Sequence, residues 1–389
     1  MSGPRLEIDL GRIRHNACVL VERLGSLGIE VTGVTKAMLG SVEVARELMA
    51  AGVTSLGDSR IENIEAMRTA GLDGHMTLIR SPMLSQADRV VAHADASLNS
   101  ELAVIEALSA AACHRGRVHA VVLMVELGDL REGILAGDLD DAVRATLALP
   151  GIVLRGIGTN LACQSGVTPD HRNMDELSRL ADAIEERFAI ALDVVSGGNS
   201  ANLDWAFGPS PLGRVNNLRL GESILLGVEP LRRQCIDGLF TDAITLVAEV
   251  IEAKTKPTQP WGEINQTAFG SATAIDNSGP QLASTSRAIV GVGRQDVDAD
   301  GLTPPKGFTI LGASSDHLVL DAGRHLPVVG AEVRFGVDYS ALLRAMTSPY
   351  VAKVYLTDKP GAWDPPVNPQ AAMRDRPDTA VAADGASSI

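Results

Sequence analysis

Between residues 10 and 230, short strand-like runs alternate with longer amphipathic stretches. The runs are VTGVT (31–35), SLGDS (55–59), MTLIR (76–80), ASLNS (96–100), HAVVLMVEL (119–127), IVLRGIGTN (152–160), LDVVSGG (192–198) and NLRLGE (217–222). Between them, VEVARELMAAG places apolar residues at 42, 44, 45, 48 and 49, the spacing of one helix face, and closes on a glycine suited to a helix stop. SELAVIEALSAAACHRG and MDELSRLADAIEERFAI follow the same pattern. Strands alternating with helices form parallel β/α units. Eight of them predict a closed (β/α)8 barrel rather than an open sheet, although two of the eight runs are short and polar.

Near residue 235 the helical period fades. AITLVAEVIEAKTK, RAIVGVGRQD, GFTILGASSDHLVLDAG and AEVRFGVDY are separated by Gly, Pro and Asp turns. The expected organisation is a barrel over 1–235, a β-rich domain over 236–358 and a tail over 359–389. The tail is rich in Pro, Ala, Asp and Ser without periodicity, the composition of a disordered segment.

Composition narrows the classes. With 389 residues and 45% hydrophobic content, the chain can bury a large core. A formal charge of -14 argues against nucleic-acid binding, and 3% aromatic content leaves few stacking platforms. Cys18, Cys113, Cys163 and Cys235 form no CxxC pair and have no histidine at zinc-ligand spacing, so they read as reduced thiols with no metal site. No apolar segment reaches the roughly 18 residues of a membrane span, and the N-terminus lacks a signal-peptide core. The expectation is a soluble, cytoplasmic protein without a membrane or nucleic-acid partner.

Barrels of this kind place their chemistry at the C-terminal ends of the strands. Lys36 ends the first run. Asp58, Ser59 and Arg60 follow the second, Glu126, Asp129 and Arg131 the fifth, and Asn160 and Gln164 the sixth. The seventh run leads into SGGNSAN and the eighth into RLGES, with Arg219, Gly221 and Glu222. A strand-end lysine has an ordinary reading, a stem lying on apolar surface with its charge in water. The glycine stretches likewise read as plain turns. Taken together they read differently: two adjacent small-residue loops after strands seven and eight suit a phosphate. A lysine on the same rim suits an aldehyde. Pyridoxal 5'-phosphate carries both groups.

The succession LEIDLGRIRHN, VTKAMLG, LGDSRIENI, LGDLREGI, GTNLAC, SGGNSAN, RLGESILLG and VGRQDVD resembles the alanine-racemase-like (fold type III) pyridoxal-phosphate enzymes. GRQDVD, LGASSDH and LLRAMTSPYV resemble the ornithine/alanine racemase group within that family. The resemblance covers residues 5–358 and implies a (β/α)8 barrel followed by a β domain. It also implies roles. Lys36 matches the Schiff-base lysine, Arg219 the donor to the pyridine nitrogen, and Ser200 and Gly221 phosphate positions, with Glu222 beside them. Arg131 matches an arginine near the phenolic oxygen and the substrate carboxylate. Asn160 stands where alanine racemases place a histidine beside the ring.

One position departs from the family. Where alanine racemases carry a catalytic tyrosine in a GYAD-like motif, this chain has VGRQD, so Arg294 fills the slot. Arginine does not give up its proton, so the second acid/base must be sought elsewhere, with Asp296, Asp316 and His317 as candidates. The missing tyrosine weakens alanine as substrate. Asp296 or Asp338 near the mouth would suit a basic side chain. The expected activity is an amino-acid racemase acting on ornithine or a similar basic amino acid. The alternatives are a lyase or decarboxylase on the same fold, or a non-catalytic cofactor carrier. The resemblance further implies a homodimer with shared active sites.

Overall fold

The structure, a computed structural model, describes residues 3–260, 262, 263, 265, 266, 269, 284–324 and 327–357. The tail expected over 359–389 lies outside the described residues.

The first strand, β1 (Arg5–Asp9), stands apart from the alternating pattern and belongs to the second sheet. The barrel consists of β2 (Glu30–Val34), β3 (Ser55–Asp58), β4 (His75–Leu78), β5 (Ala96–Asn99), β6 (His119–Met124), β7 (Ile152–Gly158), β8 (Val194–Gly198) and β9 (Asn217–Leu220). They pair in sequence order, all parallel, and β9 closes on β2. Each of the eight predicted runs overlaps one of these strands, with β2 and β4 starting one residue early. The helices Val42–Ala50, Leu102–Arg115 and His171–Phe188 lie where the periodicity placed them.

In the polar run of β5, partners meet most of the polar groups, although the buried Oδ1 of Asn99 has none among the described residues. On β5, Ser97 Oγ lies 2.8 Å from His119 Nε2, and Asn99 Nδ2 donates to both the carbonyl and the hydroxyl of Ser97. Leu98 points the other way, packing with Val122 and Met124.

The lumen of the barrel is partly polar. Residues from all eight strands line a narrow space of about 120 Å³ there. On β9 the period of two sends Leu218 and Leu220 into the hydrophobic core and Asn217 and Arg219 into the lumen. The inward polar groups form a column of hydrogen bonds. Arg219 donates to Ser196, Ser196 to Asn217 (2.7 Å) and Asn217 to Thr32 (3.0 Å), and the Thr32 and Ser55 hydroxyls are hydrogen-bonded at 2.7 Å.

The second sheet contains β10 (Ile244–Pro257), β11 (Ser284–Val290), β12 (Leu302–Thr303), β13 (Thr309–Ala313), β14 (Leu318–Asp321), β15 (Glu332–Val337) and β16 (Ala352–Leu356). Its order is β12-β15-β10-β11-β14-β13, all antiparallel, with β1 joined to β10 and, in parallel, to β16. A helix, Tyr339–Thr347, interrupts the β texture and packs against the turn that carries Lys36. Among the described residues no helix is long and apolar enough to cross a membrane.

Candidate active site

Strand β2 ends at Val34, and a tight turn of 3-10 helix, Lys36–Met38, follows at once. Leu39 and then Gly40 turn left-handed, with φ of 53° and 67°. A side chain at Gly40 would lie 2.6 Å from Asn63 Cβ, so the turn needs glycine there. The Thr35 hydroxyl donates to buried Asp58 at 2.7 Å. Asp58 also accepts from the Arg60 backbone and the Asn63 amide, at 2.9 Å each. Lys36 is thus fixed at its root while its amine reaches a cavity.

That cavity has a volume of about 510 Å³ and opens at the C-terminal ends of the strands. Its polar wall includes Lys36, Arg80, Arg131, Glu132, Asn160, Cys163, Ser200, Arg219, Gly221, Glu222, Arg233 and Tyr339. Val34, Ile79, Leu98 and Met124 form an apolar side. One lysine and four arginines face only two carboxylates, so the pocket is cationic in a chain whose formal charge is -14. Burial pushes the Lys36 amine below its ordinary pKa. Cys163 and Asp58 oppose that shift, while the cations Arg131 and Arg219 add to it. The amine also stands 5.8 Å from the centre of the Tyr339 ring.

Arg219 forms the floor and is 6% exposed. Besides Ser196 it donates to the Thr159 carbonyl at 2.8 Å and to Asn160 Oδ1 at 3.2 Å. Among the described residues no carboxylate pairs with it. Burial, with Arg131 adding, lowers its pKa to about 10, still well above neutrality. Asn160 Oδ1 also accepts from Asn199, while its buried Nδ2 has no partner among the described residues.

The glycine stretches form one wall. Gly198 has φ 144°, and a side chain there would strike Asn202 Oδ1 at 2.2 Å. Asn199 caps the following turn, and Ser200 Oγ lies 3.0 Å from Ser223 Oγ. At Gly221 a Cβ would crowd Val34 at 3.1 Å, so bare backbone faces the cavity. Next to it Glu222 lies 3.3 Å from Arg233, which also stands 3.9 Å from Asp338. Burial raises the pKa of Glu222 and Arg233 opposes that rise.

Two loops close the opposite wall. Asp129, buried between them, accepts from the backbone amides of Gln164 (2.8 Å), Cys163 and Ser165 (both 3.2 Å) and Val167 (3.4 Å). Arg131 on the first loop donates to Cys163 Sγ at 2.8 Å and to the Glu132 carboxylate.

The structure thus gathers Lys36, Arg131, Asn160, Ser200, Arg219, Gly221 and Glu222 around one space. It does not bring Arg294, Asp296, Asp316 or His317 to that space within the chain. Asp296 is buried and accepts the Ser348 hydroxyl at 2.7 Å, a structural contact rather than one facing substrate. Arg294 lies over the Phe269 ring and 3.3 Å from Asp300. Asp316 and His317 bond to each other at 2.9 Å on an exposed turn. Backbone bonds from Arg294 to Ser314 and from Gln295 to Ser315 tie that turn to the Arg294 turn. Sequence reasoning missed Tyr339, Arg80, Arg233 and Cys163. The rule that strand ends carry chemistry reaches Arg80 and Cys163. Nothing local marks Tyr339.

The sequence profile of the alanine racemase N-terminal domain matches residues 8–230. Over 358 residues the chain is 37% identical to ornithine racemase of Acetoanaerobium sticklandii, covering 91% of this chain and 99% of that protein. It is 38% identical over 356 residues to lysine racemase of Thermotoga maritima, covering 90% and 98%. Among solved structures, alanine racemase from Streptomyces coelicolor superposes with a TM-score of 0.71 at 22% identity, covering 91% of this chain and 98% of that one.

Proposed function

Because the chain belongs to the alanine racemase N-terminal domain family, we propose that it is a pyridoxal-phosphate-dependent amino-acid racemase acting on ornithine or lysine. The cofactor fits on three grounds. The amine of Lys36 reaches the cavity, Asn160 has an unused buried donor, and Gly221 leaves backbone bare beside Ser200. Lys36 would hold the aldehyde carbon, and Ser200 with the Gly221 backbone would hold the phosphate. Arg219 would face the ring nitrogen. Bound there, the cofactor withdraws electrons from the substrate Cα and makes its proton removable.

The chain's own groups manage that proton. Burial holds Lys36 below the ordinary lysine range, so its Nζ can accept a proton when free. Arg219 remains charged and donates hydrogen bonds without releasing a proton, a weak partner for the ring nitrogen. That favours return of the Cα proton over loss of the amino group. Tyr339 has its pKa raised by burial and the nearby Glu222 carboxylate, so its phenol stays protonated and acts as a donor. Of the two carboxylates of the cavity, Glu222 lies on the Tyr339 side, and a basic substrate side chain would share it with Arg233.

The second acid/base would come from a partner chain. The exposed Arg294 and Asp316–His317 turns, linked to each other and remote from their own cavity wall, support a homodimer whose second domains complete each other's sites. Four unpaired cysteines suit an enzyme of the cytoplasm.

The observation that carries the proposal is the half-buried lysine in a cationic cavity of a racemase-family barrel. Its test is chiral chromatography of L-ornithine, L-lysine and L-alanine incubated with protein and cofactor. The expected result is equal L and D ornithine or lysine with no loss of total amino acid. Release of CO2 or an aldehyde points to a decarboxylase or lyase, and unchanged L substrate to a carrier.

A further inference from the structure

The cavity is cationic as a whole, but the wall beyond β9 is not. There the carboxylates of Glu222 and Asp338 face the single guanidinium of Arg233, at 3.3 Å and 3.9 Å. The buried Glu229 carboxylate adds a further negative charge that acts on Glu222. Glu229 itself is satisfied, accepting from the backbone amides of Leu231 (2.7 Å), Arg232 (2.9 Å) and Gln234 (3.1 Å). The loop wound on it carries Arg233 at φ 58°, a left-handed conformation uncommon for a residue with a side chain. The root of Arg233 is thus fixed, while its side chain is 54% exposed. An ion pair with so exposed a partner is weak and readily exchanged.

The two carboxylates are not equivalent. Asp338 caps the helix Tyr339–Thr347, its Oδ1 accepting from the Ala341 amide at 2.9 Å, and its Oδ2 is the atom turned to Arg233. Glu222 is mostly buried and lines the cavity, and among the described residues Arg233 is its only ion-pair partner. Two carboxylates around one guanidinium leave a place for one more positive charge, and a carboxylate drawn this far out of water favours filling it.

That place is within reach of a substrate. Lys36 is near enough for its charge to act on Glu222. Tyr339, whose ring centre is 5.8 Å from the Lys36 amine, is acted on by the Glu222 carboxylate in turn. A side chain leaving a carbon held beside Lys36 therefore meets Glu222 past Tyr339. The other carboxylate of the cavity, Glu132, is already held by Arg131, the arginine that resemblance places near the substrate's own carboxylate.

We propose that Glu222 binds the distal ammonium of a basic substrate, while Arg233 yields that carboxylate and keeps Asp338. This rests on the reading of the cavity as a site for basic amino acids, and it names the residue that selects them.

The test titrates the cofactor-loaded full chain with L-ornithine and with L-norvaline, the same skeleton without the distal amine, and reads the cofactor's visible absorbance. Wild type should bind ornithine more tightly. E222Q should reduce that preference about tenfold to a hundredfold, the loss of a hydrogen bond between charged groups. E222D has a carboxylate shorter by one methylene, so it should raise the affinity for lysine, longer by one, relative to ornithine. A merely structural role for Glu222 would not move that ratio. R233Q removes the competing guanidinium and should bind ornithine more tightly than wild type. A wild-type preference in a folded E222Q chain overturns the proposal, as does an unmoved lysine-to-ornithine ratio in E222D or an R233Q chain that loses the preference. Chiral chromatography of ornithine and lysine with wild type checks the underlying reading separately. Racemisation there with an unchanged E222Q preference sinks this proposal alone, and no racemisation of either sinks both.

Discussion

Asp129 is the pin between the two loops of the cavity's far wall, and removing it should loosen one of them without unfolding the barrel. The residue is 1% exposed, and its carboxylate accepts from four backbone amides between Cys163 and Val167. Hydrogen bonds to a charged acceptor contribute about 1.5–3 kcal/mol each. The sum overstates the loss, because the loop is largely exposed and its freed amides regain water. A local loss of about 2 kcal/mol is the reasonable expectation for Asp129→Ala, equivalent to roughly a thirtyfold change in a local opening equilibrium. Hydrogen exchange read by mass spectrometry checks it. Protection at Cys163, Gln164, Ser165 and Val167 should fall about thirtyfold, while the barrel strands keep theirs. The pH dependence has a definite sign. Burial pushes the Asp129 carboxyl up, but the amides of Gln164, Ser165, Cys163 and Val167 outweigh it and hold it below its ordinary value. A carboxyl lower in the folded state contributes its stabilisation above the unfolded pKa of about 3.9, and loses it as pH falls through the folded value. The loop should therefore loosen in acid in the wild type and show no such step in Asp129→Ala. Wild-type protection of all four amides in the variant would refute the reasoning.

Lys36→Ala should abolish retention of pyridoxal phosphate through gel filtration, read by its visible absorbance, with unchanged circular dichroism; retained absorbance would move the attachment to another lysine. Arg219→Glu allows the ring nitrogen to be protonated and should raise keto-acid formation relative to racemisation, measured by chromatography; an unchanged ratio would mean that Arg219 does not face the ring. Mixing inactive Lys36→Ala chains with inactive chains carrying Asp316→Ala and His317→Ala should restore about one quarter of wild-type activity. Half of the randomly reassociated dimers are then mixed, and each has one intact site. No recovery after confirmed chain exchange would place each site within a single chain.

The eight barrel strands were legible because alternation with helices is a local, repeated signal, and it survived even at ASLNS. Lys36 was legible for the same reason, since a strand end and a glycine turn are both written within a few residues. Tyr339 was not. It reaches Lys36 only through the packing of a second-domain helix on the Lys36 turn, a contact between residues some three hundred positions apart. Asp296 misled in the opposite way. An acidic residue in a polar turn looks available to substrate, yet the hydroxyl that satisfies it, Ser348, comes from beyond the next helix. The charge state of the cavity was also hidden, because the acidic surface dominates the count of charges while five cations converge inward.

The position of β1 constrains the order in which this chain can assemble. Arg5 pairs with Val247 on one side and with Ala352 on the other, so the earliest strand made needs partners made near the end. The barrel lies wholly between these segments and pairs only with itself, so it can close while β1 is still an unpaired edge. Loop closure over so long a span is slow, and an idle strand edge invites pairing with other chains. Once β16 docks, residues from the two distant ends of the described chain lie side by side in one sheet. Because the two strands run parallel, Arg5 and Leu356 sit at opposite ends of the pair, so a circular permutation that joins them needs a linker running back along the strands, and such a chain would begin folding with its slowest contact already local.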